Sequence, residues 1–323
     1  MFELTWYRGD FPDSVNRVAV AVTRPDGSSL DNSSCDSDHR SFLRSAAKPG
    51  QALGPVVDGV LERYGLSDRH LALACGSHNG SDAHTRLVAE ILDAAGVPRD
   101  LLTPGDDGQG GPLRHQCSGN HALALAWCAA SGWPLEGYLH PDHPAQVAVG
   151  RWMRWWLGAE PEQGPDGCGM VAYRSTLADS ARAFARLAQA AELAGWESAS
   201  GPDRAEAALG RCGAAIVTHP ELVRWPGQLD TELMLACRSD GLVAKCGAEG
   251  FWACGSASGW GLALRVLDGA ERAWPPAGLW AVRELLAEHL DSDLDRPALD
   301  AIAHPSVVDA KGDAVGRVEA RWV

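Results

Sequence analysis

A serine at position 45 precedes a lysine at position 48 within Arg44-Ser45-Ala46-Ala47-Lys48. On a helix that spacing places the hydroxyl and the amine on one face. A serine hydroxyl attacks a carbonyl only after a base removes its proton, and a neutral lysine amine is one such base. The same pattern also describes an ordinary helix start, with the serine as cap and the lysine in water. A second polar cluster, Ser77-His78-Asn79, lies between Gly76 and Gly80, directly after the apolar run Leu71-Ala72-Leu73-Ala74-Cys75. Loops of this kind commonly line sites. Equally, Asn79, Ser81 or Asp82 can cap the helix that follows. A third, Lys245-Cys246-Gly247-Ala248-Glu249-Gly250, sets a lysine at the end of an apolar strand and follows it with glycines. Such a lysine either points into a cleft or guards an exposed sheet edge.

Ser-x-x-Lys, then Ser-x-Asn, then Lys-x-Gly is the order of elements in penicillin-recognising serine hydrolases. A fourth feature is Cys117-Ser118-Gly119-Asn120-His121, with Asp166-Gly167-Cys168 downstream. Cys117 stands just before a helix start, where the helix dipole favours thiolate, the metal-binding form. Two thiolates with an N or O ligand suit zinc. Two buried, inert cysteines fit the same residues. The histidines at 70, 140 and 219 and the tryptophans at 152, 155 and 156 read as structural.

These residues need a frame. Val18, Val20 and Val22 alternate with Ala19 and Ala21 as a strand, closed by a turn at Pro25-Asp26-Gly27. The pattern predicts a helix from 45 to 64, disturbed by Pro49 and Gly50, and a short buried strand at 71–75. Helices follow at 82–95, 118–131, 142–157 and 175–194. The segments 242–245, 250–254 and 261–267 read as glycine-separated strands, the last ending in a hairpin signal at Asp268-Gly269. A helix at 280–290 and a strand at 315–323 complete the chain. Strands at both ends around a helical middle predict a mixed α/β (α+β) sheet covered by helices. The glycine- and proline-rich stretches 101–111 and 158–169 read as long loops within one domain spanning 1–323.

Composition narrows the classes. With 46% hydrophobic and 22% charged residues, the chain can bury a sizeable core. A formal net charge of −14 argues against nucleic acid or an anionic membrane as partner. The nine cysteines form no CxxC pair, and Met1 to Trp6 lacks a basic segment leading into an apolar run. The expectation is a cytoplasmic protein with reduced thiols and no membrane span.

Together, Arg44-Ser45-x-x-Lys48-Pro49, Ser77-His78-Asn79-Gly80, Cys117-Ser118-Gly119, Asp166-Gly167-Cys168 and Lys245-x-Gly-Ala-Glu-Gly250 resemble the Rhizobium-type, asparaginase II-like L-asparaginases. Arg8-Gly9 fits as well, and the resemblance covers about 5–320. It implies a fold like that of serine β-lactamases and glutaminases, with a mostly antiparallel sheet. It also implies a homodimer and hydrolysis of L-asparagine to L-aspartate and ammonia, without an organic cofactor. By position, Ser45 with Lys48 resembles one Ser-Lys pair and Ser77 with Lys245 a second. Cys117 and Cys168 resemble zinc ligands. Arg44, His78, Asn79, Asn120, His121 and Asp166 resemble residues around the substrate.

One position departs from the family pattern. Asn120 stands where the family carries a metal-ligating lysine. An amide is a poorer zinc ligand than an amine, so zinc is expected to be weakened, absent, or completed by His121, Asp166 or water. The expected chemistry is attack by Ser45 activated by Lys48, with Ser77 and Lys245 as relay or alternative nucleophile and base. Backbone N–H groups near Ser45 or Gly76 are the expected oxyanion donors. Two other functions fit the motifs: a related serine amidohydrolase acting on glutamine, a β-aspartyl compound or a lactam, and a degenerate amino-acid or metal-binding protein.

Overall fold

Val18, Ala19, Val20, Ala21 and Val22 are all fully buried, so both faces of their strand are covered. In the computed structural model, which describes residues 1–323 except 31–34, 107, 109, 193–195, 197–199 and 202, this strand lies at the centre of the main sheet. The strands are β1 (Phe2–Arg8), β2 (Phe11–Thr23), β3 (Arg40–Phe42), β4 (Glu162–Pro165), β5 (Val171–Thr176), β6 (Val243–Gly247), β7 (Phe251–Gly255), β8 (Gly261–Val266), β9 (Val307–Val308) and β10 (Ala314–Trp322). Seven of them form one sheet in the order β6-β7-β8-β2-β1-β10-β9, and β3-β5-β4 form a small second sheet. Neighbouring strands pair antiparallel throughout. The result is a mixed α/β architecture, as the pattern of elements predicts.

The helix Leu177–Ala191 packs on β2, β7 and β8. The Thr176 side chain opens it by accepting the Asp179 amide. The helix Trp274–Leu285 packs on the same three strands, and the helical middle of the chain fills the space beyond. Among the described residues, no helix is long and apolar enough to cross a membrane.

Several expected elements differ from those observed. Residues 71–74 belong to a helix, Asp68–Ala74, rather than a strand, and Cys75 is its C-cap. Its start is set by a capping box between Ser67 and His70, and a short run buried on every side carries no periodicity to tell the two apart. The helix expected over 45–64 is instead a 3₁₀ turn, Arg44–Ala47, followed by Lys48–Gln51, Leu53–Val57 and Val60–Tyr64. Pro55 removes an amide from this run, and left-handed Gly59 interrupts it before Val60–Tyr64. Gly50 is required by packing, because a Cβ there would strike the Trp156 ring. Asp268-Gly269 turns the chain out of β8 towards the helix Trp274–Leu285 rather than into a hairpin strand. The helix expected to 194 ends at Ala191, and residues 193 and 194 lie outside the described residues.

Candidate active site

Lys245 is central in β6, where alternation sends its side chain inward, and it is fully buried. Its ammonium donates to Ser77 Oγ at 3.1 Å and to the Cys246 carbonyl at 2.7 Å. Lys48 opens the helix Lys48–Gln51 and reaches the same serine from the other side. Its Nζ lies 3.1 Å from Ser77 Oγ and 2.6 Å from the Gly76 carbonyl. Ser77 thus bridges two buried lysines. Burial pulls the Lys245 amine below its ordinary range, aided by Lys48 and Arg224 and opposed by Cys246 and Asp230.

The backbone of Ser77 is fixed as firmly as its side chain. Its amide donates to the Val223 carbonyl at 2.8 Å, while the Gly76 amide donates to Leu73 and the His78 amide to Gln116. The expectation that an amide near Gly76 holds an oxyanion therefore fails: these donors are already committed. Ser45 differs. It sits in the opening turn of the 3₁₀ helix, where amides lack intrahelical acceptors. Its hydroxyl faces Cys117 Sγ at 4.0 Å, and the expected direct partner, Lys48, spends its ammonium on Ser77.

A cavity of about 320 Å³ opens over these groups. Ser45, Ser77, Cys117, Cys168, Arg44 and Asp166 line it, joined by Arg224, Gly247 and Glu271. Arg44 holds a left-handed backbone, φ 51°, which is strained for a side chain of its size. Two hydrogen bonds to Asp166, Nε to Oδ2 at 2.9 Å and Nη2 to Oδ1 at 3.3 Å, stabilise it there. Gly247 lies against this turn so closely that a Cβ would strike the Leu43 carbonyl.

Four expected substrate contacts are not among the residues that line the cavity. His78 is fully buried; its Nε2 meets Ser118 Oγ at 3.0 Å and its Nδ1 accepts the Gly80 amide. Asn79 accepts the Ser81 amide ahead of the helix Asp82–Ala94, which is a local structural role. Asn120 and His121 are buried in the helix Ser118–Ser131. His121 Nδ1 meets Tyr138 Oη at 2.7 Å, and its Nε2 has no hydrogen-bond partner. Burial lowers His78 to about 3 and His121 to about 4.

Cys117 and Cys168 do meet, the first as N-cap of Ser118–Ser131 and the second in the turn between β4 and β5. A hydrogen bond from Cys168, with Lys48 nearby, holds Cys117 far below the usual thiol range; the same bond and burial push Cys168 up. Zinc requires four donors in a closed site and three in an open one. Among the described residues, no three His, Cys, Asp or Glu side chains stand together as a metal site. The residues at this place do not fit the zinc that the resemblance implies, and no chemistry is routed through it.

Two site residues carry no local signal in the sequence. Asp230 is fully buried and accepts the Cys246 amide at 3.0 Å and Trp252 Nε1 at 2.8 Å, placing a carboxylate behind Lys245. Arg224 enters from the end of the short helix Pro220–Val223. One stands between Leu229 and Thr231 and the other between Val223 and Trp225, settings that mark no site, and only the tertiary fold brings them to this place.

Among curated proteins, none matches this chain. A solved structure described as "Crystal Structure Analysis of Mglu" is similar at 16% identity and a TM-score of 0.40, over 84% of this chain and 67% of that one. The family model described as L-asparaginase II matches residues 4–320. With nearly the whole chain matched, the protein is a member of the L-asparaginase II family, and with it an amidohydrolase of a small amide.

Proposed function

We propose that the protein hydrolyses the side-chain amide of L-asparagine to L-aspartate and ammonia by a Ser-Lys mechanism, on a fold of the serine β-lactamase and glutaminase type. The observation that carries this reading is the placement of Ser77 between Lys48 and Lys245 at the wall of the cavity that Ser45 lines. Burial, with Lys48 nearby, draws the Lys245 amine down, which favours a neutral amine there as the base.

In this reading Ser45 is the nucleophile. Side chains at i and i+3 of a 3₁₀ turn eclipse, which sets Ser45 on the side of Lys48. The Ser45 proton passes to the neutral amine as Oγ bonds to the amide carbon. The C–N bond then breaks, and the Ser77 hydroxyl protonates the departing nitrogen, drawing a replacement proton from the lysine pair. Ammonia leaves. Water adds to the ester by the reverse proton route, releasing aspartate and free Ser45. The Ser45 amide is the candidate oxyanion donor. The reading also includes the homodimer that the resemblance implies, which sedimentation would measure.

A second reading makes Ser77 the nucleophile, because Ser77 is the hydroxyl that touches both amines directly. The two are separated by trapping the acyl-enzyme with a slow substrate and mapping the modified serine by mass spectrometry. Ammonia release from L-asparagine, L-glutamine and a β-aspartyl dipeptide tests the substrate. Preferred release from asparagine supports the proposal. Binding of asparagine with no ammonia from any of the three would overturn it.

A further inference from the structure

Arg224 is a cation at the cavity wall that forms no ion pair among the described residues, although Asp106 also lines this cavity. Its Nε is buried and has no hydrogen-bond partner, although the residue lines the same cavity as Ser45 and Ser77. Arg44, the other arginine there, is taken up by Asp166. Glu271 is taken up by the Glu249 amide and Trp274 Nε1, at 2.7 and 3.0 Å. With Nε buried, the terminal N–H groups of the guanidinium are the donors left to meet a ligand in the cavity.

The backbone holds Arg224 in place. Its amide donates to Pro220, and its carbonyl accepts Thr231 Oγ1 at 2.6 Å. The carbonyl of the preceding residue, Val223, accepts the Ser77 amide. The guanidinium is thus tied to the backbone of the relay serine through one peptide unit. Its plane is further restrained by the neighbouring Trp225 ring, 4.1 Å from Cζ to the centroid.

We infer that Arg224 receives the α-carboxylate of the substrate and so restricts the site to amides that carry a free carboxylate. A planar guanidinium offers paired N–H donors to the two oxygens of a carboxylate, a match that a neutral amide or an ester lacks. This rests on the asparagine-hydrolysis reading, which it deepens by assigning the group that recognises the amino-acid end. Arg224 binds and orients the substrate and takes no part in bond breaking.

The test compares L-asparagine with 3-aminopropanamide, which is asparagine without its carboxylate, on wild type, Arg224→Met and Arg224→Lys. The expected ratio of kcat/KM, asparagine over 3-aminopropanamide, falls about 10- to 100-fold in Arg224→Met, chiefly through KM, and partly recovers in Arg224→Lys. A ratio within about twofold of wild type in Arg224→Met would overturn the inference. Should wild type release no ammonia from asparagine, the hydrolysis reading fails by itself. Calorimetry of L-asparagine and 3-aminopropanamide binding to the same proteins then decides the carboxylate contact. Should Arg224→Met fail to fold, Arg224→Lys and wild type with asparagine methyl ester decide it: unchanged KM for the ester in wild type sinks the inference.

Discussion

Lys48 and Lys245, far apart in the chain, donate to a single oxygen, Ser77 Oγ, each at 3.1 Å. With both amines donating to that oxygen, the serine proton remains for a group in the cavity that Ser77 lines. A hydroxyl held in this way suits delivery of a proton to a leaving nitrogen. Replacing Ser77 with Ala is expected to lower turnover by about 10²- to 10⁴-fold, the usual worth of a general acid. Replacing Ser45 with Ala is expected to cost more, because it removes the attacking atom. Steady-state ammonia release from the two folded variants checks the order. A milder loss for Ser45→Ala would reassign the nucleophile to Ser77.

Asp230 lies behind Lys245 and favours its charged form, against burial. Asp230→Asn is therefore expected to lower the Lys245 amine further. If a neutral Lys245 is needed, activity rises with pH through its titration, so the acid limb of the kcat/KM profile should move to lower pH. An acid limb that stays put or moves upward would exclude Lys245 as the base. The same change turns one of the two accepting oxygens into a donor, so one of two buried donors loses its acceptor, and should destabilise the fold by about 1–3 kcal/mol, read by urea unfolding.

Gly247→Ala sets a methyl against the Leu43 carbonyl, beside the strained Arg44. Backbone must move to relieve it, at a cost of about 1–3 kcal/mol. Because the displaced turn carries Ser45, kcat is expected to fall by roughly 10²-fold while circular dichroism is unchanged. Full activity in that variant would show that the turn tolerates displacement.

His78 and His121 are buried neutral, with folded values of about 3 and about 4 against an ordinary 6.5. Between pH about 6.5 and about 4 the unfolded chain binds protons that the folded one refuses, so stability falls as pH falls through that window. Each imidazole contributes a slope of up to about 1.4 kcal/mol per pH unit. Urea midpoints of wild type and His78→Gln at pH 7.5, 6 and 5 measure it. The variant should show the shallower slope, and an equal slope would mean that His78 titrates normally in the fold.

Much of the frame is legible in the sequence because the periodic signals are strong. The Val18 to Val22 alternation and the helix Ser118–Ser131, with its glycine stop, appear where the pattern places them. Serine and lysine at 45 and 48 mark the right turn, but spacing shows only which side chains share a face. It cannot show that the Lys48 ammonium passes Ser45 to meet a serine from another segment. His78 and Asn79 read as site residues because they follow Ser77, yet the His78 ring is spent on Ser118 and the Gly80 amide, and Asn79 Oδ1 accepts the Ser81 amide. The apolar run at 71–75 is too short to show a period. Asp230 and Arg224 leave no trace in local pattern, because their role comes entirely from partners distant in the chain.

Three successive amides, those of Gly76, Ser77 and His78, are given to Leu73, Val223 and Gln116. At the wall that bears the Ser77 hydroxyl, those three backbone amides are therefore closed to a carbonyl oxygen. A flat carboxamide can enter such a cleft in two poses related by a half-turn about its C–C bond. One directs its oxygen to the Arg44–Ala47 turn and its nitrogen to Ser77; the other reverses them and finds these amide donors already committed. The choice of pose is written in main-chain geometry, so exchanging side chains around the cleft can weaken it without inverting it.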